Sequence, residues 1–277
     1  MSDSATGTTG DQQLENVTLP ATLPVLPISE AVIFPYMMVP LVLSDENLIK
    51  LADECLAGDK ILGAFAQRPL GADEFEVTGD DADDDLEEGE ELDESEQIYQ
   101  VGTAVRIQKM LRFPDGSMRL LGQGIARCRI DSILQEEPYI RAAVSALPES
   151  GADDSQTLAY MRGVANNFLK IIDASESLSD ELKVVVMNID DPGRLADLIA
   201  TNLDIDVSEK QEVLEETSPR RRLQTLSKIV VRELDVLELG QQLQSKVRKS
   251  IDKDQREYYL RQQLKAIRRE LGDDEDS

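Results

Sequence analysis

Apolar positions along the first half of the chain alternate or come in short runs, and along the second half they recur every three or four residues, so the chain divides into a strand-rich part followed by a helical part. From Leu19 to Leu43 the prolines at 20, 24, 27, 35 and 40 exclude a helix and predict extended, bulged edge strands. Ser44 then reads as the cap of a helix with Asp45 and Glu46 in its first turn, Leu48, Ile49, Ala52, Cys55 and Leu56 on one face, and Gly58 as its stop. Strand patterning returns over 61–67 and again over 98–113. Phe113-Pro114-Asp115-Gly116-Ser117 is turn chemistry that sends the chain back through Met118 to Leu121 as a hairpin. Ala126, Cys128 and Ile130 alternate with Arg127, Arg129 and Asp131, which predicts a strand with the first three buried and the second three wet. A last strand is expected over 139–146. Six or so short strands with one inserted helix predict a small closed or strongly curled sheet, which protects its edges.

Past a polar linker at 150–154 the period changes to 3.6. Helices are expected at 155–172, 179–189, 192–203 and 208–217, capped at Ser179, Asp191 and Ser208, with Leu182, Val185, Val186, Leu195, Leu198, Ile199, Val213 and Leu214 facing one another. The stretch from Ser218 to Gly272 then reads as one helix, with Pro219 in its first turn, Gly272 past its last, and no proline between. At 1.5 Å per residue it would span about 80 Å, more than the domain preceding it. Its stripe begins Leu223, Leu226, Val230, Leu234, Leu237, changes phase near Gly240, where a bend is expected, and lapses over 252–257. The first half should complete the bundle and the second half should project beyond it. The fold class is therefore α+β.

Charge sharpens this division. The 277 residues carry a net charge of −26, yet 73–96 holds 15 Asp or Glu and no Lys or Arg; removing those 15 charges leaves −11. Such a run repels itself and buries little, so an insertion at 71–97 reads as a disordered loop between two strands, with docking on the basic helix as the alternative. Residues 219–271 carry 14 of the 29 Lys and Arg against 7 acids. A core is affordable at 41% apolar content, but with aromatics at 4% and no tryptophan it must be aliphatic. Cys55 and Cys128 have no metal-like spacing and read as buried, reduced thiols. Residues 1–18 read as a disordered leader without signal-peptide character, and no run approaches the ~20 apolar residues of a membrane span, which predicts a cytoplasmic protein.

Histidine is absent, which removes the commonest general base, most zinc sites and every Ser/His or Cys/His nucleophile pair. No G-x-x-x-x-G-K-[ST] loop occurs, and Gly122-Gln123-Gly124 is a weak pair of glycines in strand context. No catalytic, cofactor-binding or metal-binding residue is assigned. The positive candidates are apolar surfaces. Phe34, Pro35, Met37 and Met38 form a proline-bounded segment with adjacent methionines, at least one of which strand alternation turns outward unless something covers it; a core role for both is an equal alternative. Tyr258 and Tyr259, adjacent on the long helix, cannot share one face, so one should meet a neighbouring subunit, a passing polypeptide or a further module.

Three blocks carry a resemblance. Residues 255–272, Gln-Arg-Glu-Tyr-Tyr-Leu-Arg-Gln-Gln-Leu-Lys-Ala-Ile-Arg-Arg-Glu-Leu-Gly, look like the segment ahead of the ATPase module in Lon, the ATP-dependent serine protease. Leu23-Pro24-Val25-Leu26-Pro27-Ile28, continuing through Val32-Ile33-Phe34-Pro35 to Val39-Pro40-Leu41, and Asp191-Pro192-Gly193-Arg194-Leu195-Ala196-Asp197 resemble two more family blocks, in matching order and spacing. The resemblance covers 19–272 and breaks over the acidic run. It implies a PUA-like β-barrel at 19–148, a helical bundle at 152–217, a long helix at 218–272 and an acidic linker stub at 273–277. The implied role is recognition of unfolded or degron-bearing proteins and alignment of subunits in a hexamer; the family's ATP, magnesium and serine–lysine pair belong to modules expected to follow Gly272. A free-standing adaptor of the same fold is the rival reading. RNA binding, the third, is opposed by the net charge.

Overall fold

A computed structural model describes residues 19–68, 97–151, 154–175 and 177–270. The expected leader at 1–18, the acidic run at 73–96 and the stub at 273–277 lie outside the described residues. Six strands come first, with one helix among them: β1 (Thr22–Ile28), β2 (Met38–Leu43), α1 (Glu46–Ala57), β3 (Ile61–Ala66), β4 (Val101–Arg112), β5 (Met118–Gln135) and β6 (Arg141–Ala146). Five helices follow: α2 (Ser155–Ala174), α3 (Glu181–Asn188), α4 (Pro192–Asn202), α5 (Val207–Glu215) and α6 (Pro219–Glu270).

The strands run in the order β2-β5-β4-β3-β1-β6, and β6 pairs back onto β5, so five of them close into a barrel with β2 as an appended strand. Closure depends on the length of β5. Its 18 residues pair along one edge with β2 over 118–123 and with β6 over 128–135, while the other edge holds β4. The sequence pattern split this strand in two. Register shifts near Val105, Gln108, Asp131 and Leu134 mark bulges, which supply the curvature a small barrel needs. Its prolines predict an edge position for β1, but the strand lies between β3 and β6. It tolerates prolines because its pairings are divided: residues 22–24 meet β6 and residues 25–28 meet β3, and since the Val25 amide donates toward β6, to Ile140, the missing N–H of Pro24 falls on the β3 side and that of Pro27 on the β6 side, where neither is paired.

Leu51, Ala52 and Cys55 of α1 pack against Leu26, Leu62, Val105 and Met118, closing one end of the barrel interior. Leu23, Val25, Phe65, Cys128 and Ile140 fill the other. Both thiols are free and buried, and burial pushes each up to about 12. The α1 cap is Asp45 rather than Ser44: its carboxylate accepts from the Asn47 and Leu48 amides at 2.7 and 3.2 Å. Likewise α5 starts at Val207 after Asp206, so Ser208 lies within the first turn, whereas Asp191 caps α4 as expected, accepting from the Arg194 amide at 2.6 Å.

The helices build a second core from Phe168, Ile171 and Ile172 of α2, Leu195, Ile199 and Ala200 of α4, and Leu223, Leu226 and Val230 of α6. Val186 joins it, but Val185, expected to face inward, is 45% exposed: on so short a helix only one of two adjacent residues can point into the core. At 52 residues α6 runs unbroken through Gly240, and no helix among the described residues is long and apolar enough to cross a membrane.

Candidate functional site

Barrel and bundle meet along the connection between β1 and β2, and the chemistry of the molecule concentrates there. Val32 and Phe34 leave the barrel and enter the helical core; Phe34 is fully buried. This removes Phe34 from the exposed apolar surface that sequence patterning assigned it: a phenyl ring at the seam is covered from both sides, and it anchors rather than contacts. The buried Thr103 hydroxyl of β4 donates to the Ile33 carbonyl at 2.5 Å and fixes the connection from below. Gly124 of β5 fixes it further along, donating to the Met37 carbonyl at 2.9 Å and accepting from the Tyr36 amide at 2.8 Å. A Cβ on Gly124 would sit 2.3 Å from the Phe34 carbonyl oxygen, so only glycine permits this approach.

The pinned backbone places Tyr36 at φ +66°, an unusual conformation for a tyrosine and one that the surrounding contacts must hold. The Arg194 guanidinium of α4 lies over its ring, 4.7 Å from the centroid. Burial raises the Tyr36 hydroxyl above its ordinary value, with Arg194 pulling it down. Pro35, Tyr36, Met37 and Met38 thus form one wall of a cleft of about 320 Å³; Val185, Ile189, Arg194, Leu198 and Thr201 form the other. Met38 is 47% exposed and Met37 half-buried, and both line the cleft, so neither methionine is enclosed in a core.

Beneath the cleft, α4 is held by charge. Asp197, 2% exposed, accepts from both terminal nitrogens of Arg127 at 2.9 and 2.6 Å, and from Arg222 of α6 at 3.0 Å. Arg222 also donates to Glu149 at 2.8 Å and to the Glu216 and Gly193 carbonyls, and Arg127 to the Leu214 carbonyl at 2.9 Å. A Cβ on Gly193 would meet the Glu149 carboxylate at 2.5 Å, so a side chain there would push that carboxylate aside. The group joins β5, α4, the approach to α2 and the start of α6. Patterning along β5 placed Arg127 on a wet face; the bundle covers that face, and α4 supplies the counter-charge. The Asp-Pro-Gly-Arg-Leu-Ala-Asp block was visible in the sequence, but no spacing rule links its last aspartate to arginines 70 and 25 residues away.

Tyr258 and Tyr259 take no part in the cleft. They are 61% and 69% exposed on the distal half of α6, with ring centroids 6.3 Å apart in edge-to-face geometry. No group of His, Cys, Asp and Glu suited to a metal occurs among the described residues. What the architecture offers is an apolar recess between a barrel and a helical bundle.

That combination is the fold of Lon N-terminal domains. The N-terminal domain of a Mycobacterium avium complex Lon protease superposes with a TM-score of 0.58 at 20% identity, over 76% of this chain and 98% of that one. A Lon N-terminal domain protein from Xanthomonas campestris gives 0.50 at 18% identity, over 74% and 96%. Residues 22–232 match the family described as the ATP-dependent protease La (LON) substrate-binding domain, and the chain belongs to that family. Lon protease of Dictyoglomus thermophilum is 38% identical over 255 residues and that of Trichlorobacter lovleyi 37% over 260, covering 92% and 94% of this chain. The chain spans about 30% of the length of these two relatives.

Proposed function

We propose that this chain is the substrate-recognising region of an ATP-dependent Lon-type protease, and that the cleft between Tyr36-Met37-Met38 and α3–α4 receives apolar segments of unfolded or degron-bearing proteins. One observation carries this reading: the methionines and the aliphatic residues Val185, Ile189 and Leu198 line a single recess whose mouth is open. Methionine suits such a role because its unbranched thioether adapts to differently shaped guests. Pro35, Met37 and Met38 are retained as substrate contacts, and Tyr36, Val185, Ile189 and Leu198 join them. Tyr258 and Tyr259 remain the second candidate, facing a neighbouring subunit or a passing polypeptide.

In this reading 19–148 recognises substrate, 152–217 supports it, and 218–272 aligns subunits of a cytoplasmic hexamer and leads toward ATPase and peptidase modules that bind ATP and magnesium. Binding by this part alone is passive and weak, since burial at ~25 cal/mol per Å² must first offset the entropy of association. The test is the double variant Met37→Ser/Met38→Ser, titrated with a reduced, carboxymethylated model protein. The expected outcome is binding weakened about tenfold with a cooperative unfolding transition retained. Unchanged binding overturns the cleft assignment and moves it to Tyr258 and Tyr259, where serine replacements provide the parallel measurement.

A further inference from the structure

The cleft does not end at Met38; it opens onto the free edge of β2. Among the described residues that strand stands at one end of the sheet and pairs only with β5. The hydrogen bond from the Gly124 amide to the Met37 carbonyl sets the phase of the pair: odd positions from 37 to 43 direct their backbone groups to β5, and Met38, Pro40 and Val42 direct theirs away from the sheet. Pro40 therefore falls where an N–H would otherwise point outward, which is how an edge strand accommodates proline. The edge keeps three carbonyl acceptors and two N–H donors unmatched by any strand among the described residues. The same three side chains are exposed, Met38 at 47% and Val42 at 61%, while Leu41 and Leu43 point into the barrel core.

The surface behind this edge has a definite charge. Cross-strand register carries the row of Met38 through Gln123 to Arg106, that of Pro40 through Leu121 to Lys109, and that of Val42 through Arg119 to Leu111. Each row is apolar at the β2 edge and contributes one basic residue, and none contributes an acid, in a chain whose net charge is −26. An extended segment laid along β2 would place alternate side chains against Met38, Pro40 and Val42 and bring its flanks into a local positive field.

We propose that a bound polypeptide adds to β2 as a further strand, with apolar residues at alternate positions and acidic residues at its flanks, one end entering the cleft. This deepens the substrate-recognition reading above and rests on it. Main-chain pairing gives tolerance of sequence, and the alternate apolar positions and acidic flanks give the preference.

The probe is a short blocked peptide of alternating valine and threonine with glutamate at each end, titrated into the 277-residue chain. N-methylation at the alternate amides that would face β2 should weaken binding about tenfold or more, since several hydrogen bonds are lost at once. Pro40→Thr supplies the missing donor and should tighten binding about threefold. Lysine in place of the terminal glutamates should weaken it, by a factor that shrinks as salt is added. Amide exchange at Met38 and Val42 should slow when the peptide is bound. If the N-methylated peptide binds as well as its parent, and Pro40→Thr changes nothing, strand addition is wrong. Val185→Ser, which alters the cleft away from β2, then separates the two readings: weaker binding of the denatured model protein leaves the cleft standing, and no effect removes both.

Discussion

The proximal and distal halves of α6 both carry apolar residues at spacings of three and four, out of phase across Gly240, and they meet opposite fates. In the proximal half Leu223, Leu226 and Val230 are fully buried against α2 and α4, and Leu234 and Leu237 partly so. In the distal half Leu239, Leu243, Val247 and Ile251 are at least half exposed, as are Leu260, Leu264 and Ile267. The change comes where α2 ends: Gln241 donates at 3.0 Å to the carbonyl of Ala174, the last residue of that helix. Periodicity reports that a face is available for burial, while burial itself requires a neighbour of matching length. The distal face packs against no neighbour among the described residues, whereas the proximal face holds the fold together.

The largest expected effect breaks the proximal half at its charged root. Asp197→Ala leaves Arg127 and Arg222 buried without their shared carboxylate and should cost about 3–5 kcal/mol in denaturant unfolding. A loss under about 1 kcal/mol would mean that Glu149 and the surrounding carbonyls suffice to hold both guanidiniums. Next in size is a matched pair on the helix itself. Leu226→Ala should cost about 2–5 kcal/mol through the cavity it opens, and Leu243→Ala should stay within about 0.5 kcal/mol. Equal effects would remove the distinction between the halves. The last effect concerns pH. The Cys55 and Cys128 thiols, each raised from 9.0 to about 12, bind their protons more tightly folded than unfolded. Their contribution is therefore complete below pH 9 and is lost as the pH climbs from about 9 toward 12, so the melting temperature should fall over that window. Cys55→Ala/Cys128→Ala should flatten the decline.

Particular residues separate what was legible from what was not. The strand-to-helix division, the hairpin at Asp115-Gly116, the α4 cap at Asp191 and the length of α6 were readable because each depends on residues within one or two turns of each other. Met37 and Met38 were readable as a candidate surface for the same reason, although alternation alone left the core alternative open. Val185, Ile189, Arg194 and Leu198, the opposite wall of the cleft, were not, because they come from helices some 150 residues away and nothing local aims them at Tyr36. Phe34 was misassigned and Arg127 placed on the wrong face for one shared cause: both lie where the bundle covers the barrel, and a strand pattern knows nothing of the layer above it.

By itself, then, the sequence determined the local geometry: which segments extend, which coil, where they cap and turn, and that no histidine-based chemistry is available. Tertiary structure alone decided that β5 is long enough to close five strands into a barrel and hold β2 as well, that Asp197 gathers two arginines from distant elements, and that one edge of β2, beside an apolar recess, pairs with no other strand among the described residues. The physical reason is one of range. Backbone propensity, capping and periodicity act over a few residues, whereas closure, counter-charge and burial are set by which surfaces meet, and those meetings are fixed by the packing of the whole chain.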